Sequence, residues 1–69
     1  MKETVERITL NPNQYSSLCF LASHNDKEDH YVTDVNTAFS RFKDFMTRAE
    51  MMSSVENDVK YVIFTKEVN

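Results

Sequence analysis

Hydrophobic positions recur along this chain with changing rhythm, and each change marks an element. Residues Glu3 to Leu10 alternate, with Thr4, Glu6, Ile8 and Leu10 on one side and Val5, Arg7 and Thr9 on the other. A period of two marks a strand, and this stretch is read as the first one. From Tyr15 the period lengthens: Tyr15, Leu18, Cys19 and Ala22 fall on the single stripe of a helix. The start signal agrees with the stripe. Asn11 suits the cap, Pro12 the first helical position and Gln14 the capping-box position, while Leu10 and Tyr15 stand where a hydrophobic staple would place them. The run Leu18 to Ala22 also permits a buried strand over residues 16–23, but only the helix uses the cap. The expected helix runs from Pro12 to about His24, with Asn25 as its left-handed terminator.

The longest periodic signal follows a polar connector, Asn25 to His30, and a short extended piece at Tyr31 and Val32. Val35, Ala38, Phe39, Phe42, Phe45, Met46, Ala49 and Met52 recur at three- and four-residue spacing. They predict one continuous helix from about Asp34 to Ser53, capped by Thr33 or Asn36. A turn over Ser53 to Asp58 leads to a last strand, Val59 to Lys66, with Tyr61 and Ile63 facing one way and Val62 and Phe64 the other. The order strand, helix, helix, strand predicts a single α+β domain over residues 1–69, with a small antiparallel sheet on two helices. The last strand is expected beside the first and antiparallel to it. Two strands make a marginal sheet, so either Tyr31 and Val32 add a third or another molecule completes the edge.

Composition narrows the chemistry. The 69 residues include no glycine. Rossmann loops, phosphate-binding P-loops and nucleophile elbows need glycine where the backbone takes positive φ or meets a phosphate, so those classes are set aside. Left-handed turns would fall to asparagine, and Asn11, Asn13, Asn25 and Asn57 stand where turns are wanted. Cys19 is the lone cysteine, which rules out a disulfide within the chain and fits a reducing cytoplasm. No apolar run approaches the roughly 20 residues of a membrane span. A formal charge of −3 argues mildly against nonspecific binding to nucleic acid or anionic membrane.

His24, Asp26, Glu28, Asp29 and His30 crowd into the connector, but their spacing fits no metal-ligand pattern. They are read as a solvated loop, and no metal or other cofactor is expected. Cys19 with His24 could suggest a nucleophile and its base, yet Cys19 lies on the apolar stripe, where a thiol behaves as a small hydrophobe. Arg41, Asp44 and Arg48 are read as a self-paired, solvated flank of the second helix. No catalytic residue is assigned.

Binding is the better reading. Phe20 lies off the stripe of the first helix and Met51 off that of the second, so both are expected to be exposed and available to a partner. Asp26, Glu28, Asp29 and Asp34, with only Lys27 among them, form the one patch of single sign and point to a basic partner surface. The expectation is a small non-enzymatic regulator or inhibitor that binds another protein, a class often encoded by phages and other mobile elements, and that self-associates because its core is small.

A second reading comes from a resemblance. Glu6-Arg7-Ile8-Thr9-Leu10, then Pro12-Asn13-Gln14-Tyr15 and a second helix, resemble the ribbon-helix-helix family of dimeric repressors and antitoxins over roughly residues 5 to 48. The resemblance implies a strand paired with that of a dimer mate in the DNA major groove, with Arg7 and Thr9 reading bases.

Overall fold

A computed structural model describes residues 4–68, so Glu3, expected to open the first strand, lies outside the described residues. In chain order the elements are β1 (Val5–Leu10), α1 (Pro12–Ala22), β2 (His30–Asp34), α2 (Val35–Arg41), a 3-10 turn (Lys43–Phe45), α3 (Arg48–Glu56) and β3 (Tyr61–Lys66). The α+β class is as expected. The number of elements and the direction of the last strand are not.

The local signals of α1 act as read. Asn11 is extended, and its Oδ1 accepts from the backbone N–H of Gln14 at 2.9 Å, the first half of a capping box. Tyr15, Leu18 and Cys19 are buried on the core stripe, so residues 16–22 are helix and not strand. The terminator differs. Ser23, at φ 55°, takes the left-handed position directly after the last stripe residue, and the N–H of His24 closes on the Cys19 carbonyl at 2.9 Å. Among the described residues only Ser23 and Asp58 have positive φ, so no asparagine carries a left-handed turn here. The chain must turn where its apolar stripe ends, and that position holds a serine. Asn25 turns the chain with its side chain instead, Oδ1 accepting from the Lys27 N–H at 3.0 Å.

The single helix expected over residues 34–53 is broken in two. A straight helix of that length would extend about 30 Å, which equals the longest dimension of the whole molecule, 30 × 25 × 24 Å. The break has a local cause as well. Thr47 is extended, its Oγ1 accepts from the N–H of Glu50 at 3.0 Å, and its own N–H donates to Glu50 Oε1 at 2.7 Å. This reciprocal box starts a new helix at Arg48. The 3-10 turn folds the chain so that Phe42 and Met46 both remain in the core. Helical phase then restarts, which places Ala49 and Met52 outside although the unbroken stripe put them inside. Met51, expected to be exposed, is half-buried against the core. The cap of α2 is Asp34, in place of Thr33 or Asn36, and it accepts from the Thr37 N–H at 3.1 Å.

The sheet has three strands in the order β1-β3-β2. Tyr31 and Val32 do supply the third strand, and this reverses the expected topology. From β1 to β2 the chain changes direction, and from β2 to β3 it changes again, so β3 lies parallel to β1 and antiparallel to β2. All the helices pack on one face. There Ile8, Leu10, Val62 and Phe64 meet Tyr15, Leu18, Cys19, Ala38, Phe42 and Met46. Tyr31, Phe42 and Phe64 form a run of edge-on rings with centroids 5.8 and 6.3 Å apart. Among the described residues no helix is long and apolar enough to cross a membrane.

Candidate functional site: the uncovered sheet face

Strand alternation that sends one set of side chains into the core sends the other set outward. Register aligns these outward residues in rows across the three strands: Val5, Tyr61 and Asp34; then Arg7, Ile63 and Val32; then Thr9, Thr65 and His30. No helix covers them. Val32 is 48% exposed, and Val5 and Tyr61 are also open to solvent. Across one end, Thr9 Oγ1 and Thr65 Oγ1 lie 3.2 Å apart. The face therefore has an apolar centre, a cation on the β1 side and carboxylates towards β2. Arg7, Asp29, His30, Val32, Ile63, Thr65 and Lys66 surround a shallow depression at this surface, so a second cation, Lys66, lies near Asp29 at its β2 end.

β3 makes the face unusual. It is the central strand and carries apolar side chains on both sides, Val62 and Phe64 inward, Tyr61 and Ile63 outward. Such a strand normally lies under cover on both faces. Here cover is present on one face only.

The acidic residues expected to act as one patch are divided by the fold. Asp29 immediately precedes β2, beside His30, the partner of Thr65, and Asp34 ends β2 as the partner of Tyr61. Asp29 Oδ1 lies 3.1 Å from His30 Nδ1, and this hydrogen bond holds its carboxyl below the usual carboxylate range. Asp34 is held low by the Thr37 hydroxyl, at 2.7 Å, and then by the Thr37 N–H. Asp26 accepts from the Ser16 hydroxyl at 3.3 Å. Glu28 Oε2 stands 3.3 Å from His24 Nε2, in a geometry that completes no hydrogen bond. Asp26, Asp29 and Asp34 are thus each held by a hydrogen bond within the chain while the Glu28 carboxylate is not, and only Asp29 and Asp34 border the open face.

Phe20 is 85% exposed on α1, as expected of a residue off the stripe. Cys19 is fully buried, burial pushes its thiol above the ordinary value, and the His24 ring packs at a tilt of 54° against Tyr31, with centroids 4.9 Å apart. Among the described residues no group of three or more His, Cys, Asp or Glu is placed to hold a metal ion.

No family model, curated protein or solved structure matches this chain. The ribbon-helix-helix expectation meets a different architecture: β1 is bonded to β3 within the chain, and the region of the second helix is two helices. Arg7 and Thr9 nevertheless project together on the uncovered face. Sequence reading missed the centre of this face, formed by Val5, Val32, Tyr61 and Ile63. The signal lay in the doubly apolar pattern of β3.

Proposed function

We propose that this chain is a non-catalytic binding protein that engages another protein through the uncovered face of its sheet. The observation that carries this reading is the central strand β3, apolar on both faces and covered on one. Burying Val5, Val32, Tyr61 and Ile63 against a partner would release their hydration water, with a return of roughly 25 cal/mol per Å² of apolar surface. Arg7 and the Asp29–His30 pair would fix orientation, since charged groups at a rim govern specificity and association rate more than affinity.

A protein partner fits better than a nucleic acid. Single-stranded nucleic acids are held by basic grooves with several aromatic platforms, whereas this face offers Tyr61 as its aromatic ring and places Asp29 and Asp34 along one border. Those carboxylates favour a partner with basic groups opposite β2. A domain this small influences its target by occupying a surface and excluding competitors, which is the behaviour of a regulator or inhibitor. The lone buried thiol suits a cytoplasmic setting.

The test is a comparison of tagged wild-type protein with the Val32→Glu variant in affinity purification followed by mass spectrometry, beside a nucleic-acid pull-down. Val32 is half-exposed, so its replacement should leave the thermal melt unchanged. A protein retained by wild type and lost with Val32→Glu supports the reading. Identical retention by both chains, or selective retention of nucleic acid, overturns it.

A further inference from the structure

On the other side of the molecule, α3 carries a second unpartnered surface whose charge order identifies its occupant. Arg48, Met51, Met52, Val55 and Glu56 follow one another at i, i+3, i+4, i+7 and i+8, one stripe of the helix, and together line a shallow apolar surface. Met52 is 53% and Val55 69% exposed. The ends of the stripe are charged with opposite sign, and among the described residues neither Arg48 nor Glu56 makes an ion pair. Their order also opposes the helix dipole, which favours anions at the N-terminus and cations at the C-terminus. Arg48 opens α3 and Glu56 closes it.

We infer that α3 pairs with α3 of a second copy of this chain, antiparallel about a two-fold axis at Met52. Arg48 and Glu56 each stand four residues from Met52, one on either side. An antiparallel mate therefore brings each Arg48 to the other copy's Glu56, and does so twice. It also supplies a cation at each helix end, where the last turn of α3 holds none. Met52 packs on Met52 at the centre, with Val55 beside it. Parallel pairing would set Arg48 against Arg48, and an antiparallel helix from a different protein would have to repeat this same charge order and spacing about an apolar centre. A second copy satisfies the requirement from one sequence, the self-complementarity of an isologous contact. One helix of 9 residues buries little area, so the dimer belongs to the weak class of interface. This surface is separate from the uncovered sheet face, and the inference stands or falls independently of the function proposed above.

Sedimentation equilibrium tests it, because Arg48→Glu and Glu56→Arg each improve the fit of the isolated helix to its own dipole while opposing the dimer. Wild type should dimerise with concentration, and either single reversal should weaken dimerisation about ten-fold by replacing two attractions with two repulsions. The double variant R48E/E56R should return to wild-type association, since its ends are again complementary. In a Cys19→Ser background, Met52→Cys should cross-link into dimers on oxidation, whereas Lys27→Cys in the connector should not. Three results would overturn the inference: a monomer up to about 1 mM, the limit of a weak interface; a double variant as weak as the singles; or association that none of the reversals alters.

Discussion

Tyr15→Phe removes one atom from the core and should release the connector from the helix that holds it. The Tyr15 ring is fully buried, and its hydroxyl donates to the Glu28 carbonyl at 2.6 Å, bridging α1 to the segment that leads into β2. Phenylalanine keeps the ring, so packing is preserved and the change isolates the hydrogen bond. Such a bond contributes about 0.5–1.5 kcal/mol net, and a buried partner left unsatisfied adds up to about 3 kcal/mol. Glu28 is itself exposed, so water can reach its carbonyl and the cost should stay near 1–1.5 kcal/mol. A domain of this length holds roughly 3–10 kcal/mol in all. The loss is thus a substantial share, equivalent to a fall in Tm of about 4–10 °C.

Urea titration should show a lower midpoint at unchanged slope, with faster hydrogen exchange at the Lys66 N–H, which bonds the Asp29 carbonyl at 2.9 Å. The alkaline limb gives an independent check. Burial, and then the neighbouring Cys19, push the Tyr15 phenol well above its ordinary value of 10.0. A group raised on folding contributes stability that is fully present below its unfolded value and is lost as pH climbs towards the folded one. Wild type should therefore weaken above about pH 10 and Tyr15→Phe should weaken less over that range. An unchanged urea midpoint at neutral pH, together with an identical alkaline limb, would refute the role given to this hydroxyl.

Thr47→Ala removes the acceptor for the Glu50 N–H and should cost about 1 kcal/mol, seen in urea melts with a small loss of helical circular dichroism; no change in either would count against the capping box as the cause of the break. Asp34 is held below the usual range by Thr37, so its capping contribution is present above the unfolded carboxyl value and is lost as pH falls through the folded one. Asp34→Asn keeps a capping oxygen and should flatten the acid limb of stability below about pH 4; identical acid limbs would sink this assignment. Phe42→Ala should cost about 3–5 kcal/mol, enough to unfold much of the population at room temperature, and a melt within a few degrees of wild type would contradict its central place among Tyr31 and Phe64. Native Cys19 should resist alkylation until the chain unfolds, because burial both shields its thiol and keeps it protonated; stoichiometric labelling of folded protein would show otherwise.

What was legible in the chain was what is decided locally. Asn11, Pro12 and the stripe from Tyr15 to Ala22 specify α1 within a dozen residues, and the α+β class follows from the change of period between β1 and α1. The break at Thr47 was legible too, in Thr47-Arg48-Ala49-Glu50, but periodicity outweighed it. Ala49 and Met52 happened to extend a stripe that the core uses only as far as Met46. Strand direction had no local trace. It depends on whether Tyr31 and Val32 join the sheet, and two adjacent apolar residues cannot say on which side of β3 they will pair.

The surface was harder to read than the core for a reason of distance as well as topology. Alternation assigned Tyr61 and Ile63 to one side of β3 correctly, but whether that side is covered depends on where every helix packs, and all of them pack on the other. Charge clustering misled in a different way. Asp29 and Asp34 are five positions apart in sequence, yet β2 lies between them, and a strand advances about 3.3 Å per residue. They are therefore held about 16 Å apart, roughly twice the screening length at physiological salt. At that separation they act as two local charges, each with its own hydrogen-bond partner, and not as one acidic patch. A partner seated on the uncovered face would meet them singly at its two ends, so reversing Asp29 should alter association without the additional effect of reversing Asp34 depending on it. Measured association rates for Asp29→Lys, Asp34→Lys and the double variant should accordingly multiply. A strong departure from that product would mean that the two carboxylates are closer in their electrostatic effect than the strand between them allows.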